Sequence, residues 1–152
     1  MNAALDPKRQ ALAVTSARDK LALLGGDLEL LLKGGSLPVP EIPGRDVQIL
    51  PLRELPAKKG LSTKEGQARL VHDLASIKLQ AMELGLRTLA EFPDAPKECR
   101  DELAAVTADE GQHLNLCLKA LEDLQVPWGS FPTHVMLWTS VDASDSLLDR
   151  IL

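Results

Sequence analysis

Glu110 and His113 are the two residues whose types and spacing in this chain best suit metal chemistry. They lie three positions apart, so on an α-helix their side chains project from the same side, one turn apart. A carboxylate and an imidazole together can bind iron, manganese or zinc. If both are buried, a metal, a counter-charge or hydrogen bonds must satisfy them. The motif therefore predicts either a metal site or a structural hydrogen-bonded pair.

The helix that carries this motif is predicted to begin after a cap at Asp94, with Pro96 in its first turn, and to run to about Gln125. An apolar stripe follows one side of it. At about 100° per residue, both Glu110 and His113 fall on that stripe, and we expect them to point inward. Cys117 shares the stripe and is interpreted as a core thiol. The members of the stripe are Leu103, Val106, Glu110, His113, Leu114, Cys117, Leu121 and Leu124.

Lys78 lies at the centre of the inward stripe of a preceding helix, which is predicted from Thr63 to about Phe92. Because an inward ammonium needs an acid, we expect a carboxylate beside it. The break at Pro93 is short, so the two helices should form an antiparallel hairpin. Lys78 and Glu110 each lie about 15 residues from that turn, at the same level along the hairpin. The sequence therefore predicts that they meet.

The composition favours one all-α domain. The chain has 152 residues, with 45% hydrophobic and only 3% aromatic residues. A core of Leu, Ala, Val and Ile is typical of packed helices. The net charge of −5 argues against nucleic-acid binding, which depends on clustered Lys and Arg. We expect no membrane span and no secretory signal, and hence a cytoplasmic protein.

Proline and glycine divide the chain into three parts. Residues 1–35 form an N-terminal helical segment, whose first helix should stop at Gly25-Gly26. Residues 36–61 form a proline-rich extended arm, through which no helix can run. Residues 62–152 hold the long helix hairpin, an aromatic connection and the start of a third helix, with a capping box predicted at Ser62.

Several spaced motifs carry a resemblance to a known family. From Ser62 to about Trp138 the chain resembles an uncharacterised bacterial family with a ferritin-like fold, a domain of unknown function. The matching segments are Glu65-Gly66-Gln67-Ala68-Arg69-Leu70-Val71-His72, Leu79-Gln80-Ala81-Met82-Glu83-Leu84, Asp109-Glu110-Gly111-Gln112-His113 and Gly129-Ser130-Phe131-Pro132-Thr133-His134, followed by Leu137-Trp138.

The resemblance implies a partial ferritin-like bundle with half of a di-metal site. Ferritin-like proteins bind two irons or manganese ions through one Glu from each of two helices and Glu-x-x-His from each of the other two. Glu110 and His113 correspond to one such Glu-x-x-His. This sequence has Ser76 and Lys78 where the family carries His and Glu, and it lacks the family's second helix pair. A charged lysine cannot ligate a metal, so we expect Lys78 to neutralise Glu110 in the metal's place.

Two functions follow as hypotheses. The first is a non-catalytic ferritin-like protein with a degenerate or half di-metal site, which acts through self-association or through a second helical chain that completes the bundle. The alternative is a di-iron or di-manganese oxidoreductase or hydroxylase, of which this chain is the N-terminal half. In the first case no cofactor is expected, and in the second case iron or manganese.

Three further residues are weaker candidates for the site. His72 is shared with the family but is interpreted as a residue on the flank of its helix. Glu83 is interpreted as solvated or as an inter-chain contact. His134, in the aromatic connection, could cover the site, although a hydrogen bond to the backbone is the simpler interpretation.

Overall fold

Helices account for the regular secondary structure of this protein in a computed structural model that describes residues 9–151. Residues 1–8 and Leu152, which belong to the predicted first and last segments, lie outside the described residues. No strand occurs within residues 9–151, so the predicted all-α class is confirmed. The helices are α1 (Ala17–Leu32), α2 (Lys64–Glu91), α3 (Lys97–Asp123), α4 (Met136–Thr139) and α5 (Leu147–Ile151), with a 3-10 helix at Leu52–Glu54.

The two long helices α2 and α3 form the predicted hairpin and make the most extensive helix packing in the molecule. Helix α2 begins after Thr63, whose side chain accepts a hydrogen bond from the backbone N–H of Gly66 at 3.0 Å. The cap predicted at Ser62 is therefore wrong by one residue. The cap predicted at Asp94 is also wrong, because α3 begins at Lys97, directly after Pro96. The helices approach closely where Gly85 faces Thr107, because a Cβ on Gly85 would lie 2.0 Å from the Thr107 Oγ1. Small residues thus set the spacing of the hairpin.

Helix α1 packs against the hairpin and shares its core. A Cβ on Gly111 of α3 would lie 2.5 Å from the Leu24 Cδ2, so α1 and α3 also approach closely at that point. The shared core consists of leucine, alanine, one methionine and one tryptophan. Its members include Leu12, Leu24, Leu28, Leu31, Leu79, Met82, Leu86, Leu89, Leu114, Leu118, Leu121 and Trp138.

The prediction that the first helix stops at Gly25-Gly26 is wrong, because α1 runs through both glycines to Leu32. Glycine inside a helix costs about 1 kcal/mol relative to alanine. The neighbouring Leu24 and Leu28 are buried in the core, and their packing outweighs that cost. Both glycines are exposed on the outer side of the helix.

The segment between α1 and α2 lies against the connection that follows α3. Gln48 and Leu50 exchange backbone hydrogen bonds with Thr133, at 2.9 and 2.8 Å. The Trp138 indole N–H donates to the Glu41 carbonyl at 2.8 Å, and Trp138 is almost fully buried. These contacts join the aromatic connection to the segment between α1 and α2. The division of the chain into three parts stays a prediction. Within residues 9–151 no helix is both long and apolar enough to cross a membrane.

Candidate site on the open side of the helix hairpin

Lys78 and Glu110 meet across the hairpin at the predicted level. The Lys78 Nζ lies 2.9 Å from the Glu110 Oε2. The side chains retain 29% and 21% of their exposure, so the pair lies at the edge of the buried face instead of at its centre. Antiparallel helices of regular rise bring these positions together, which is why the contact was predictable from the sequence.

His113 joins this pair from the solvent side. Its Nδ1 lies 3.3 Å from the same Glu110 Oε2, and its side chain is 52% exposed. The prediction that His113 and Val106 point inward is therefore wrong. Helix α3 instead buries a face that contains Thr107 and Gly111, whose small side chains allow the other helices to approach. A pattern based on large apolar residues gave these two positions too little weight.

Opposing effects act on the Glu110 carboxyl group. Partial burial is the largest single effect and raises its pKa. The hydrogen bonds and the charge attraction from Lys78 and His113 together outweigh burial, so the pKa lies below its usual value. On the same side of α3, burial raises the pKa of the Cys117 thiol, although the nearby Lys78 charge lowers it in part. Near neutral pH Glu110 is therefore an ionised carboxylate that is already paired, and the Cys117 thiol is protonated.

The residues at this site do not fit a bound iron or manganese ion. The ammonium of Lys78 occupies the position beside the Glu110 carboxylate that a cation would take, and its charge repels a metal. Glu110 and His113 supply only two ligand side chains. Across residues 9–151 no cluster of three or more His, Cys, Asp or Glu side chains is arranged to hold a metal.

Apolar side chains surround the charged pair on one side of the hairpin, which we call the open face. A groove of about 300 Å³ lies between the two helices on this face. Leu137, Val141 and Ile151 line the groove at one end. The open face consists of Leu70, Leu74, Ile77, Lys78, Ala81 and Leu84 on α2 and of Leu103, Val106, Glu110, His113 and Cys117 on α3.

Glu83 lies on the opposite side of α2, in a fully buried charge cluster with Lys20 and Arg45. The Glu83 Oε2 is 3.1 Å from the Lys20 Nζ, and the two Arg45 terminal nitrogens donate to the two carboxylate oxygens at 2.7 and 2.5 Å. The interpretation of Glu83 as solvated or as an inter-chain contact is therefore wrong. Burial lowers the pKa of Lys20, and Glu83 opposes that shift.

His72 is also buried, so its interpretation as a flank residue is wrong. Its ring stacks on Trp128 at 4.6 Å and meets Phe131 edge-on at 5.2 Å. Its Nε2 accepts a hydrogen bond from the Gly129 N–H at 3.1 Å, and its Nδ1 has no partner within the described residues. Burial lowers the pKa of His72 to about 4, so the ring is neutral at pH 7. These contacts pack the aromatic connection against α2.

His134 has the backbone hydrogen bond that the sequence favoured, since its Nδ1 accepts from the Met136 N–H at 3.1 Å. It lies near Gln80, a buried residue that the sequence did not single out. Gln80 accepts from the backbone N–H groups of Leu137 and Trp138 at 3.0 and 3.2 Å, and it donates to the His134 carbonyl at 3.1 Å. Gln80 therefore anchors the aromatic connection to α2.

Comparison with known proteins identifies a family. An uncharacterised protein of Haemophilus influenzae is 31% identical over 94 residues, which cover 57% of this chain and 33% of that protein. The chain thus spans about a third of the length of this curated relative. No solved structure matches it significantly. The profile of the family described as "Protein of unknown function (DUF455)" matches residues 5–152, and the chain therefore belongs to that family.

Proposed function

We propose that this protein is a metal-free helical interaction protein of ferritin-like ancestry, whose open face binds another helical segment. The observation that carries the proposal is the Lys78–Glu110 ion pair, which lies on a face whose apolar residues remain exposed. The roles of Glu110 and His113 as remnants of a di-metal site are part of this proposal.

The exchange of an acid for a lysine explains the loss of metal in physical terms. A charged lysine has three donors and no lone pair, so it cannot bridge metal ions. Its ammonium supplies the positive charge that Glu110 needs on the open face. The cluster is therefore neutralised from within the chain, and a metal would have to displace Lys78 to bind.

The spacing on the open face suits a helical partner. On α2 the apolar residues recur alternately four and three positions apart, and on α3 the face follows the same alternation. This is the spacing with which side chains of neighbouring helices interdigitate in a bundle. Leu70, Leu74 and Ile77 are 46%, 41% and 40% exposed, and Val106 is 55% exposed. A contiguous exposed apolar surface of this kind is typical of an interaction site.

The alternative, a di-iron or di-manganese oxidoreductase, would require ligands from another polypeptide. Glu110 and His113 would be its contribution from this chain, and Lys78 would have to move away from Glu110. None of the contacts described above favours that arrangement.

The metal content of the protein purified from iron-supplemented cells, and again from manganese-supplemented cells, tests the proposal. We expect no iron or manganese above the level of Glu110→Gln, a matched control that removes the one carboxylate in the cluster. Stoichiometric metal that disappears in Glu110→Gln would overturn the proposal in favour of the oxidoreductase. Metal that is equal in both proteins would lie elsewhere and would leave the Lys78–Glu110 pair intact.

A further inference from the structure

We infer that the partner of the open face is a second copy of this chain, related by a two-fold axis parallel to the long helices. In that dimer Lys78 of each copy lies opposite Glu110 of the other. The inference rests on the proposed function, because it identifies the partner of the same face.

The charges of the open face are self-complementary. One ammonium, on α2, and one carboxylate, on α3, lie side by side at the same level of the hairpin. Both remain partly exposed, so each can meet a further charge from outside the chain. A rotation about an axis parallel to the helices leaves heights unchanged and brings α2 of one copy opposite α3 of the other. The result is a square of alternating charges, Lys78, Glu110, Lys78 and Glu110.

The other face-to-face two-fold arrangement is unfavourable. An axis perpendicular to the helices would place α2 opposite α2 of the second copy, and α3 opposite α3. If centred on the charged pair, that dimer would set Lys78 against Lys78 and Glu110 against Glu110. Like charges that face each other across an interface are strongly destabilising. Charge complementarity therefore selects the parallel axis.

The side chains beside the charged pair fit this arrangement. The part of the open face that residues 137–151 do not cover contains Leu70, Leu74 and Ile77 on α2. In the parallel dimer these residues face the corresponding stretch of α3, from His113 to Cys117, in the second copy. Leu70, Leu74 and Ile77 are separated by steps of four and three residues, and His113 and Cys117 by one step of four. Side chains at such spacings can interdigitate in a four-helix bundle.

A charge-exchange experiment tests the inference. The double variant K78E/E110K keeps an ion pair inside each chain, and it keeps the alternating square in a dimer with itself. A mixed dimer with the wild-type chain would instead set ammonium against ammonium at one contact and carboxylate against carboxylate at the other. Wild-type and exchanged chains with tags of different mass are unfolded together, refolded and counted by native mass spectrometry. Circular dichroism and thermal unfolding confirm that the exchanged chain folds.

Random pairing would give mixed dimers as about half of the total. We expect the ratio of mixed dimers to dimers of two identical chains to be roughly tenfold below the random value. The reason is that each mixed dimer contains two contacts between like charges. A random fraction, an excess of mixed dimers or a wild-type chain that stays monomeric would each overturn the inference. An excess of mixed dimers would indicate the perpendicular axis.

If the exchanged chain does not fold, the neutral variant K78Q/E110Q takes its place. Its dimer should then dissociate roughly tenfold more readily than the wild-type dimer, as measured by light scattering across a dilution series. An unchanged dissociation constant would overturn the inference. These outcomes are separate from the metal analysis. Stoichiometric iron or manganese that disappears in Glu110→Gln would end the proposed function, whereas random mixing or a monomer would end only the choice of a second copy.

Discussion

Two clusters of oppositely charged side chains lie on opposite sides of helix α2. They differ in how deeply they are buried and in the number of cations around the carboxylate. On the side of α2 opposite the open face, Glu83 is fully buried and has two cationic partners, Lys20 and Arg45. On the open side the Glu110–Lys78 pair is partly exposed, with His113 at its solvent edge. The Glu83 cluster connects α1, α2 and the segment between them, whereas the Glu110–Lys78 pair connects only α2 and α3.

The difference separates a structural cluster from a candidate functional one. A fully buried carboxylate without its cations would be very costly, so the Glu83 cluster must form whenever the protein folds. The exposed pair contributes little to folding, since water screens its charges. The charges on the open side are therefore free to serve recognition.

The largest expected effect is at Glu83. Replacement of Glu83 by glutamine leaves Lys20 and Arg45 buried without an anion and should lower the free energy of unfolding by about 3–5 kcal/mol. The matched control, Glu110→Gln, should lower it by less than about 1 kcal/mol. Chemical denaturation measures both values. Equal losses would show that the two clusters do not differ as described.

The second effect is a loss of stability in acid, which the buried His72 should cause. Its pKa of about 4 in the folded protein lies below the unfolded value near 6.5, so the unfolded state binds a proton first as the pH falls. The free energy of unfolding should decrease from about pH 6.5 to pH 4, by up to about 3 kcal/mol. His72→Phe should lack this dependence in that window. A wild-type curve that is flat over the same range would contradict the buried, neutral ring.

The third effect tests the close approach within the hairpin. Gly85→Ala would place a methyl group against Thr107 and should lower the free energy of unfolding by about 1–3 kcal/mol. Gly25→Ala in α1 has open space around the new methyl group and should instead raise it by up to about 1 kcal/mol. Thermal unfolding measures the change in stability of each variant. A change of the same sign in both would contradict the packing described for Gly85 and Gly25.

The smallest effect on stability is expected at Lys78. Lys78→Met should change the free energy of unfolding by less than about 1 kcal/mol, because the pair is partly exposed. It should also raise the pKa of Glu110, since the Lys78 hydrogen bond holds that pKa below its usual value. An NMR titration of the Glu110 carboxyl group measures the shift. An unchanged pKa would show that the ion pair does not form in solution.

The local sequence pattern was sufficient to predict the helix hairpin and the position of Lys78 opposite Glu110 along it. The prolines at 93 and 96 and the apolar periodicity predicted two antiparallel helices, and regular helical rise then placed Lys78 beside Glu110. These inferences need only short-range information. The choice of buried face on α3 was less secure, because Thr107 and Gly111 pack closely without being large or strongly apolar.

The sequence pattern could not predict contacts between segments that are far apart in the chain. Glu83 is buried because Lys20 and Arg45 reach it from segments far earlier in the chain. His72 is buried because Trp128 and Phe131 cover it from beyond α3. A helical wheel places these residues at a given angle on α2, but it does not show what covers that side.

Calorimetric titration of manganese(II) into the wild-type protein and into Lys78→Glu tests most directly whether the lysine has replaced a cation. The variant restores a carboxylate beside Glu110 and His113. We predict no heat of binding for the wild type and a measurable one for Lys78→Glu. Stoichiometric binding of manganese by the wild-type protein would contradict the account.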